Sequence, residues 1–457
     1  MSQQFKPYDR DQRYLLPPSM QDWLPEGDLA HFVIDVVEEL DLSGIYAYYE
    51  RDPKTGRRKA SSGQPAFHPK VMVALLLYAY ANGTPSSRRI ARLCERDAGY
   101  RMVSADQVPD FRTISEFRRI HLKALKALFV QVLHLAREAG LVSLGHVALD
   151  GTKVKANASR HAAMSYGRMQ EAEQRYEQEI DDLLAEAEAA DAGEDARYGV
   201  DRRGDELSEE LRLRQTRLAK IREAKAALEK AALEKARAEG KLDEHDEPIP
   251  PSRCQPPATP PGVPKPTDQR NFTDPESRIM KMPSKAFEQA WNCQAAVDSE
   301  SQIIVAADVT DAPNDKKQVA PMVEQIEKNL GETPKQLSAD SGYYSEANVT
   351  LLREKGIDDY LCPDRVRHSD GLPPAPRGRI PGTLSFLERV RRKLQSQVGR
   401  AIYGLRKQTV EPVFGQIKQC RGLRQFLLRG REKVGGEWSL WCMTHNLLKM
   451  WAAATPA

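Results

Sequence analysis

Apolar residues recur at helical spacing through residues 18–140, which predicts that the chain begins as a helical domain. The run "PEGDLAHFVIDVVEELDL" places an Asp or Gly cap before an apolar stripe, and "HPKVMVALLLYAYANG" is largely apolar up to a Gly stop. "TPSSRRIARLCERDAGYRM" follows with a Thr-Pro start and a basic face of Arg88, Arg89 and Arg92. "DFRTISEFRRIHLKALKALFVQVLHLAREAGLV" predicts a capped helix, a longer one and another Gly stop.

The period changes near residue 144. "HVALDGTKVKA" reads as a strand running into Asp150, and "FEQAWNCQAAVDSESQIIVAADVTD" as two strands around the turn "DSESQ". A helix ("KKQVAPMVEQIEKNLG"), a short strand and turn ("PKQLSADSGYYS"), a helix ("EANVTLLREKGI") and a strand ("DDYLCP") follow. Beyond a Pro/Gly-rich loop at 371–383, "LSFLERVRRKLQSQ" and "RAIYGLRKQTVEPVFGQIKQC" read as helices. Strand, hairpin, helix, strand, helix, strand, helix is the order of one mixed α/β sheet with helical cover.

Something of different character interrupts that order. Residues 164–192 and 205–242 are rich in Ala, Glu, Lys, Arg and Leu, with a Gly-containing break between them. Leu207, Leu211, Leu218, Ile221 and Leu228 fall on an imperfect heptad seam, which predicts an antiparallel helical hairpin. The Pro-rich run "PIPPSRCQPPATPPGVPKP" lacks amide donors and is expected to be an extended or disordered linker. Because the sheet pattern resumes afterwards, the segment is an insertion.

At 457 residues the chain can hold two or three domains with cores of their own. No apolar run approaches the ~20 residues of a membrane helix, and the N-terminus has no apolar secretory core, so a soluble cytoplasmic protein is expected. Six cysteines stand singly, without a CxxC pair, which signals neither a zinc site nor a disulfide framework. The net charge of +3 conceals an asymmetry. Residues 171–247 hold 24 acidic and 14 basic side chains, whereas residues 377–433 hold 15 basic and 3 acidic ones. The basic segment suits a polyanion, and the acidic insertion does not.

Three acids stand out against this background. Asp150 follows the apolar strand "HVAL" and precedes Gly151, and Asp340 follows a short apolar strand and precedes Ser-Gly. Either alone would pass as a turn residue. Glu411 is the only acid between Glu388 and Glu432, in the most basic part of the chain. Carboxylates that converge in one domain suit hard cations, since Mg²⁺ prefers oxygen ligands and phosphates. Asp308, Asp311 and Asp315 in "ADVTDAPNDKKQ" also lie after a strand and could approach such cations, but are read as turn and cap residues.

In these motifs the chain resembles the DDE transposases of bacterial insertion sequences. "LDGTKVKAN" matches the family's first Asp in its D-G-[ST] context, and "ADSGYYS" its second in an A-D-x-G-Y context. "YGLRKQTVEPVFGQIK" resembles the signature Tyr-x2-Arg-x3-Glu-x6-Lys through Tyr403, Arg406, Glu411 and Lys418, with one departure: four residues separate Arg406 from Glu411. Lys407 keeps the three-residue step. On an ideal helix Lys407 lies ~40° from Glu411 and Arg406 ~140°, so Lys407 is the better geometrical match.

The resemblance implies an RNase H-like catalytic core at 141–163 and 269–455, behind a helical N-terminal DNA-binding domain at 1–140. The charged helical-hairpin (coiled-coil) insertion, read from composition and its apolar seam, is set at 164–248 and the Pro-rich linker at 249–268. The resemblance also implies Asp150, Asp340 and Glu411 as catalytic and metal-holding residues, with two Mg²⁺ ions for which Mn²⁺ substitutes. Tyr403, Arg406, Lys407, Lys418 and Arg421 would contact DNA. The implied activity is cleavage at the element's terminal inverted repeats, then transfer of the freed 3′-OH to target DNA by a homodimer at the bacterial nucleoid. Two other readings remain beside it: a metal-dependent nuclease without strand transfer, and an inactive DNA-binding descendant of a transposase.

Overall fold

The computed structural model describes residues 19–50, 65–198, 209–243, 245–249, 259–364 and 374–455. After a 3₁₀ turn at Met20–Trp23, seven α-helices come first among the described residues: α1 (Leu29–Glu39), α2 (Ser43–Glu50), α3 (Pro69–Ala81), α4 (Ser87–Arg96), α5 (Ala98–Val103), α6 (Phe111–Ile120) and α7 (Leu122–Glu138). Their starts are written locally. Asp28, Asp97 and Asp110 accept from the amides of Ala30, Tyr100 and Arg112, supplying partners for donors that a first helical turn leaves open. Helix α3 is apolar on almost every side and is accordingly buried along most of its length.

The rest of the chain contributes β1 (His146–Lys155), β2 (Ala163–Ser165), α8 (Tyr166–Tyr198), α9 (Glu209–Ala238), β3 (Gln269–Asn271), β4 (Arg278–Lys281), β5 (Phe287–Asp298) and β6 (Ile304–Thr310). These are followed by α10 (Val319–Leu330), β7 (Gln336–Ala339), α11 (Glu346–Glu354), β8 (Asp358–Leu361), α12 (Phe386–Gln395), α13 (Gln397–Gly415) and α14 (Arg431–Ala454). The central sheet runs β6–β5–β1–β7–β8. β5 is antiparallel to β1 and β6, and β7 and β8 run parallel to β1 through the α10 and α11 crossovers. β4 pairs with the first residues of β5, on the edge that β6 takes further along. The hydrophobic pattern anticipates the long strands and the hairpin. It does not announce β2, β3 or β4, which are three or four residues long and show no full alternation.

The segment carrying α8 and α9 leaves and re-enters through one small ribbon, in which β2 pairs antiparallel with β3. Helices α8 and α9 run antiparallel: Tyr166 reaches Glu229, Glu173 meets Arg222 and Lys225, and Glu179 meets Arg214. Leu211, Leu218, Ile221 and Leu228 of the expected seam are buried between them, while Leu207 lies outside the described residues. Residues 250–258 of the expected linker and residues 371–373 of the Pro/Gly-rich loop also lie outside them.

Helix α14 joins the two halves of the molecule. It is buried from Val434 through Leu447, with Trp441 edge-on to Tyr80 of α3 and Trp438 donating to the Gln294 carbonyl of β5. Asn446 exchanges two hydrogen bonds with Ile304 at the start of β6. Gly436 allows α14 to approach α7, since a methyl group there would come within 2.6 Å of Leu122. Gly436→Ala is expected to destabilise by roughly 1–3 kcal/mol through overpacking, despite alanine's better helix propensity. Pairing it with Leu122→Ala should cost less than the two single changes added together. A denaturant double-mutant cycle measures that coupling, and strict additivity would refute the contact.

Candidate active site

The sheet's register sets two acids side by side. β1 pairs with β7 as far as Leu149 opposite Ala339, so Asp150 and Asp340 are the next residue on each of two adjacent parallel strands. β7 stops there, but β1 does not. The expectation that Asp150 ends its strand is corrected: β1 continues to Lys155, paired to β5 alone, with Asp150 opposite Ala295. Side chains alternate along a strand, so Asp150 and Thr152 share one face and Gly151 and Lys153 the other.

Helix α13 supplies what Asp150 faces. It continues through Pro412, which has no amide to offer the Gln408 carbonyl four residues earlier, and Gln302 donates to that carbonyl at 2.8 Å instead. Glu411 therefore sits within a continuous helix. Arg406 points inward, its Nη1 2.7 Å from Asp150 Oδ2 and its Nη2 3.7 Å from Glu411 Oε1. Lys407 is exposed, which corrects its ranking above Arg406. What matters is the helix face turned toward β1, and a guanidinium on that face is long enough to reach Glu411 as well. The Arg406 guanidinium also lies 5.8 Å from the ring centre of Tyr403, whose hydroxyl shares a hydrogen bond with Cys362.

After Gly415 the helix widens into a π-turn, Gln416–Cys420, closed by the Arg421 amide on the Gln416 carbonyl. The turn directs Lys418 at β1, where its Nζ lies 2.9 Å from Thr152 Oγ1 and 3.1 Å from the Lys153 carbonyl. Arg421, expected among the DNA contacts, is buried instead. Its guanidinium donates to Thr444 Oγ1 and the Trp441 carbonyl of α14, and burial pushes its pKa down to about 10. From sequence alone nothing distinguishes it from the exposed Arg424 three residues later.

Electrostatics mark Asp150 as the constrained member. Burial raises its pKa from the ordinary 3.8 to about 7; Arg406 opposes that rise, while the charges of Asp340 and then Asp315 add to it. Asp340 accepts from the Gly342 amide at 2.8 Å. Glu411 stands at the rim with about half its side chain exposed. The structure thus brings Asp150 and Asp340 together, with Glu411 connected through Arg406. Among the described residues no group of three or more His, Cys, Asp or Glu side chains is disposed to hold a metal ion. The donor chemistry of the Asp150–Asp340 pair nevertheless fits a hard divalent cation, being carboxylate oxygen with negative charge that one guanidinium does not neutralise. The sequence singles out neither Asn292 nor Gln294, and Asp315 reads there as a turn and cap residue; all three lie directly behind this pair. Asp308 and Asp311 stand apart, facing Arg431 and Arg278.

Two family models match the chain: a transposase DDE domain over residues 259–447 and a transposase domain (DUF772) over residues 18–119. The chain belongs to the insertion-sequence DDE transposases. The DDE match holds Asp340 and Glu411, and Asp150 lies between the two matched spans. No curated protein and no solved structure matches the chain. No helix of the transposase, among the described residues, is long and apolar enough to cross a membrane.

The raised pKa of Asp150 has a signed consequence. Folding favours its protonated form, so the contribution to stability is complete below about pH 4 and is lost as pH rises through about 7. Relative to wild type, Asp150→Asn in EDTA should therefore gain stability between pH 5 and pH 8, by at most ~3 kcal/mol. Denaturant melts at both pH values test this, and a gain that shrinks as pH rises contradicts it.

Proposed function

We propose that this transposase cuts DNA at the ends of its element and joins the freed 3′-OH to target DNA, with Asp150, Asp340 and Glu411 as its acids. The observation carrying the proposal is the β1–β7 register, which makes the two aspartates lateral neighbours although 189 residues separate them in the chain. The strand order, with one antiparallel hairpin beside three parallel strands, supports the reading of an RNase H-like core. Helix α13 crossing β1 with its Glu and Arg supports the same reading.

In the reaction Asp150 and Asp340 would hold the divalent cations, two Mg²⁺ by this reading, and Glu411 would complete the set. When bound, such ions polarise the phosphodiester and lower the pKa of an attacking hydroxyl. The remaining work is positional. An ammonium has three donors, and Lys418 uses two on Thr152 and Lys153, which leaves one for a DNA phosphate. Arg406 would offset part of the acids' charge until DNA arrives, and Tyr403 beside it would line the approach. The exposed basic faces of α4 (Arg88, Arg89, Arg92) and of residues 377–433 would carry the duplex, with affinity that falls steeply as salt rises. Two ends have to be paired, which implies a dimer on DNA.

The deciding experiment uses Asp340→Ala and a plasmid carrying the DNA that flanks this reading frame, with Mg²⁺. End cleavage should fall by at least ~100-fold while DNA binding changes by less than about twofold, as expected when a metal-holding group is lost. Retained cleavage would remove Asp340 from the site. Wild-type protein should also join a pre-cut end to a second plasmid, and nicking without joining would make the enzyme a nuclease.

A further inference from the structure

Both aspartates are followed by a glycine that has one neighbour in common. Asp315 lies on the loop between β6 and α10, and its Oδ1 accepts from Asn292 Nδ2 and Gln294 Nε2, each at 2.7 Å. A methyl group at Gly151 would lie 2.9 Å from Asp315 Oδ1 and 2.6 Å from Gln294 Nε2. A methyl group at Gly342 would lie 3.3 Å from Asp315 Oδ2 and 3.0 Å from Asp340 Oδ1. The glycine of "DG" and the glycine of "DSG" thus leave room for the same carboxylate, one approaching each of its oxygens.

The contacts extend further along the second turn. Gln294 Oε1 accepts from the hydroxyl of Tyr343, a buried residue three positions after Asp340. Asn348 of α11 donates at 2.7 Å both to the Tyr343 carbonyl and to the carbonyl of Lys316, next to Asp315. Asn292 also donates to the Ala312 carbonyl at 3.1 Å, fastening the loop that carries Asp315. Gly151 stands opposite Gln294, so this network occupies the face of β1 away from the Asp150 carboxylate.

We infer that Asp315 is a positioning residue: from behind the sheet it fixes the turns after Asp150 and Asp340, so that both carboxylates address one phosphate, and it does not itself hold the metal. The inference rests on the transposase reading. Two features separate Asp315 from a fourth metal-holding acid. Its Oδ1 already accepts two amide donors, and it stands across β1 from the face that Arg406 and Lys418 approach.

The test compares full-length wild type, Asp150→Asn, Asp315→Ala, Asp315→Asn and Tyr343→Phe on the same flanking-DNA plasmid with Mg²⁺. Three quantities are read: the single-turnover cleavage rate at saturating protein, the protein concentration giving half that rate, and the thermal melt. Asp315→Ala should slow cleavage on the order of 10- to 100-fold with half-saturation within about twofold, as a displacement of order 1 Å at the reacting groups would do. Asp315→Asn keeps the acceptor oxygen and should recover most of the rate. Tyr343→Phe keeps the buried ring, cuts the link to Gln294, and should lose rate severalfold at unchanged half-saturation. A wild-type rate in Asp315→Ala overturns the inference, as does an Asp315→Asn rate as low as that of Asp150→Asn, which would make Asp315 a metal-holding acid. If Asp315→Ala does not fold, Tyr343→Phe decides, and a wild-type rate there overturns it. A wild-type rate in Asp150→Asn overturns the transposase site and this inference with it, whereas a dead Asp150→Asn beside an active Asp315→Ala removes only the inference.

Discussion

Everything at this site depends on where one parallel ladder stops. β7 contributes four paired residues and ends at Ala339, opposite Leu149, whereas β1 runs six residues further. Beyond the last pair, β1 keeps its antiparallel neighbour β5 and loses its parallel one, so one edge of the strand is open from Asp150 onward. An open edge inside a protein needs partners for its backbone groups. The chain provides them from the C-terminal elements: Lys418 donates to the Lys153 carbonyl, the Phe426 amide to the Lys155 carbonyl, and Gln425 bridges Lys155. The gap that admits Lys418 is thus a consequence of unequal strand lengths.

That gap imposes a charge problem. Asp150 is mostly buried beside Asp340, and two neighbouring carboxylates cannot both ionise in a poorly solvated site without a counter-charge. Arg406 supplies it, and arginine suits the task because its guanidinium stays charged when buried and spans two acceptors at once. Burial, the largest single influence, works against the guanidinium, yet the charges of Asp150, Tyr403, Asp340 and Glu411 together outweigh it and hold its pKa above the usual value. Breaking such a pair on one side leaves the other charge uncompensated, which costs more than the pair contributes.

The sequence made the elements legible wherever one face of a helix or strand carries the information. α1, α10 and the β5–β6 hairpin show their periods plainly, and Asp150, Asp340 and Glu411 are visible because they break an apolar or basic context. Angular reasoning about α13 failed for a physical reason. It measured residues against Glu411, whereas the packing direction is set by β1. Arg421 and Arg424 carry the same local composition, and only the position of α14 separates a core cation from an exposed one. Asp315 resembles any polar loop residue until β5 is laid beside β1, because its partners Asn292 and Gln294 come from a strand that precedes it.

The insertion shows why 189 residues between Asp150 and Asp340 do not weaken the geometry. Loop-closure entropy grows only as the logarithm of loop length, about 0.6 kcal/mol for each doubling, so a long excursion is tolerated if its ends are fixed. Here they are fixed twice. The β2–β3 ribbon closes the base of the α8–α9 hairpin, and Asn271 donates to the Ser159 carbonyl just before β2. Asp274 then accepts from Trp291 of β5 and from the Gly430 amide at the head of α14. The chain therefore returns to the sheet tied to both the strand beside β1 and the helix behind it, and the helical hairpin can vary in length without moving the register that sets Asp150 against Asp340.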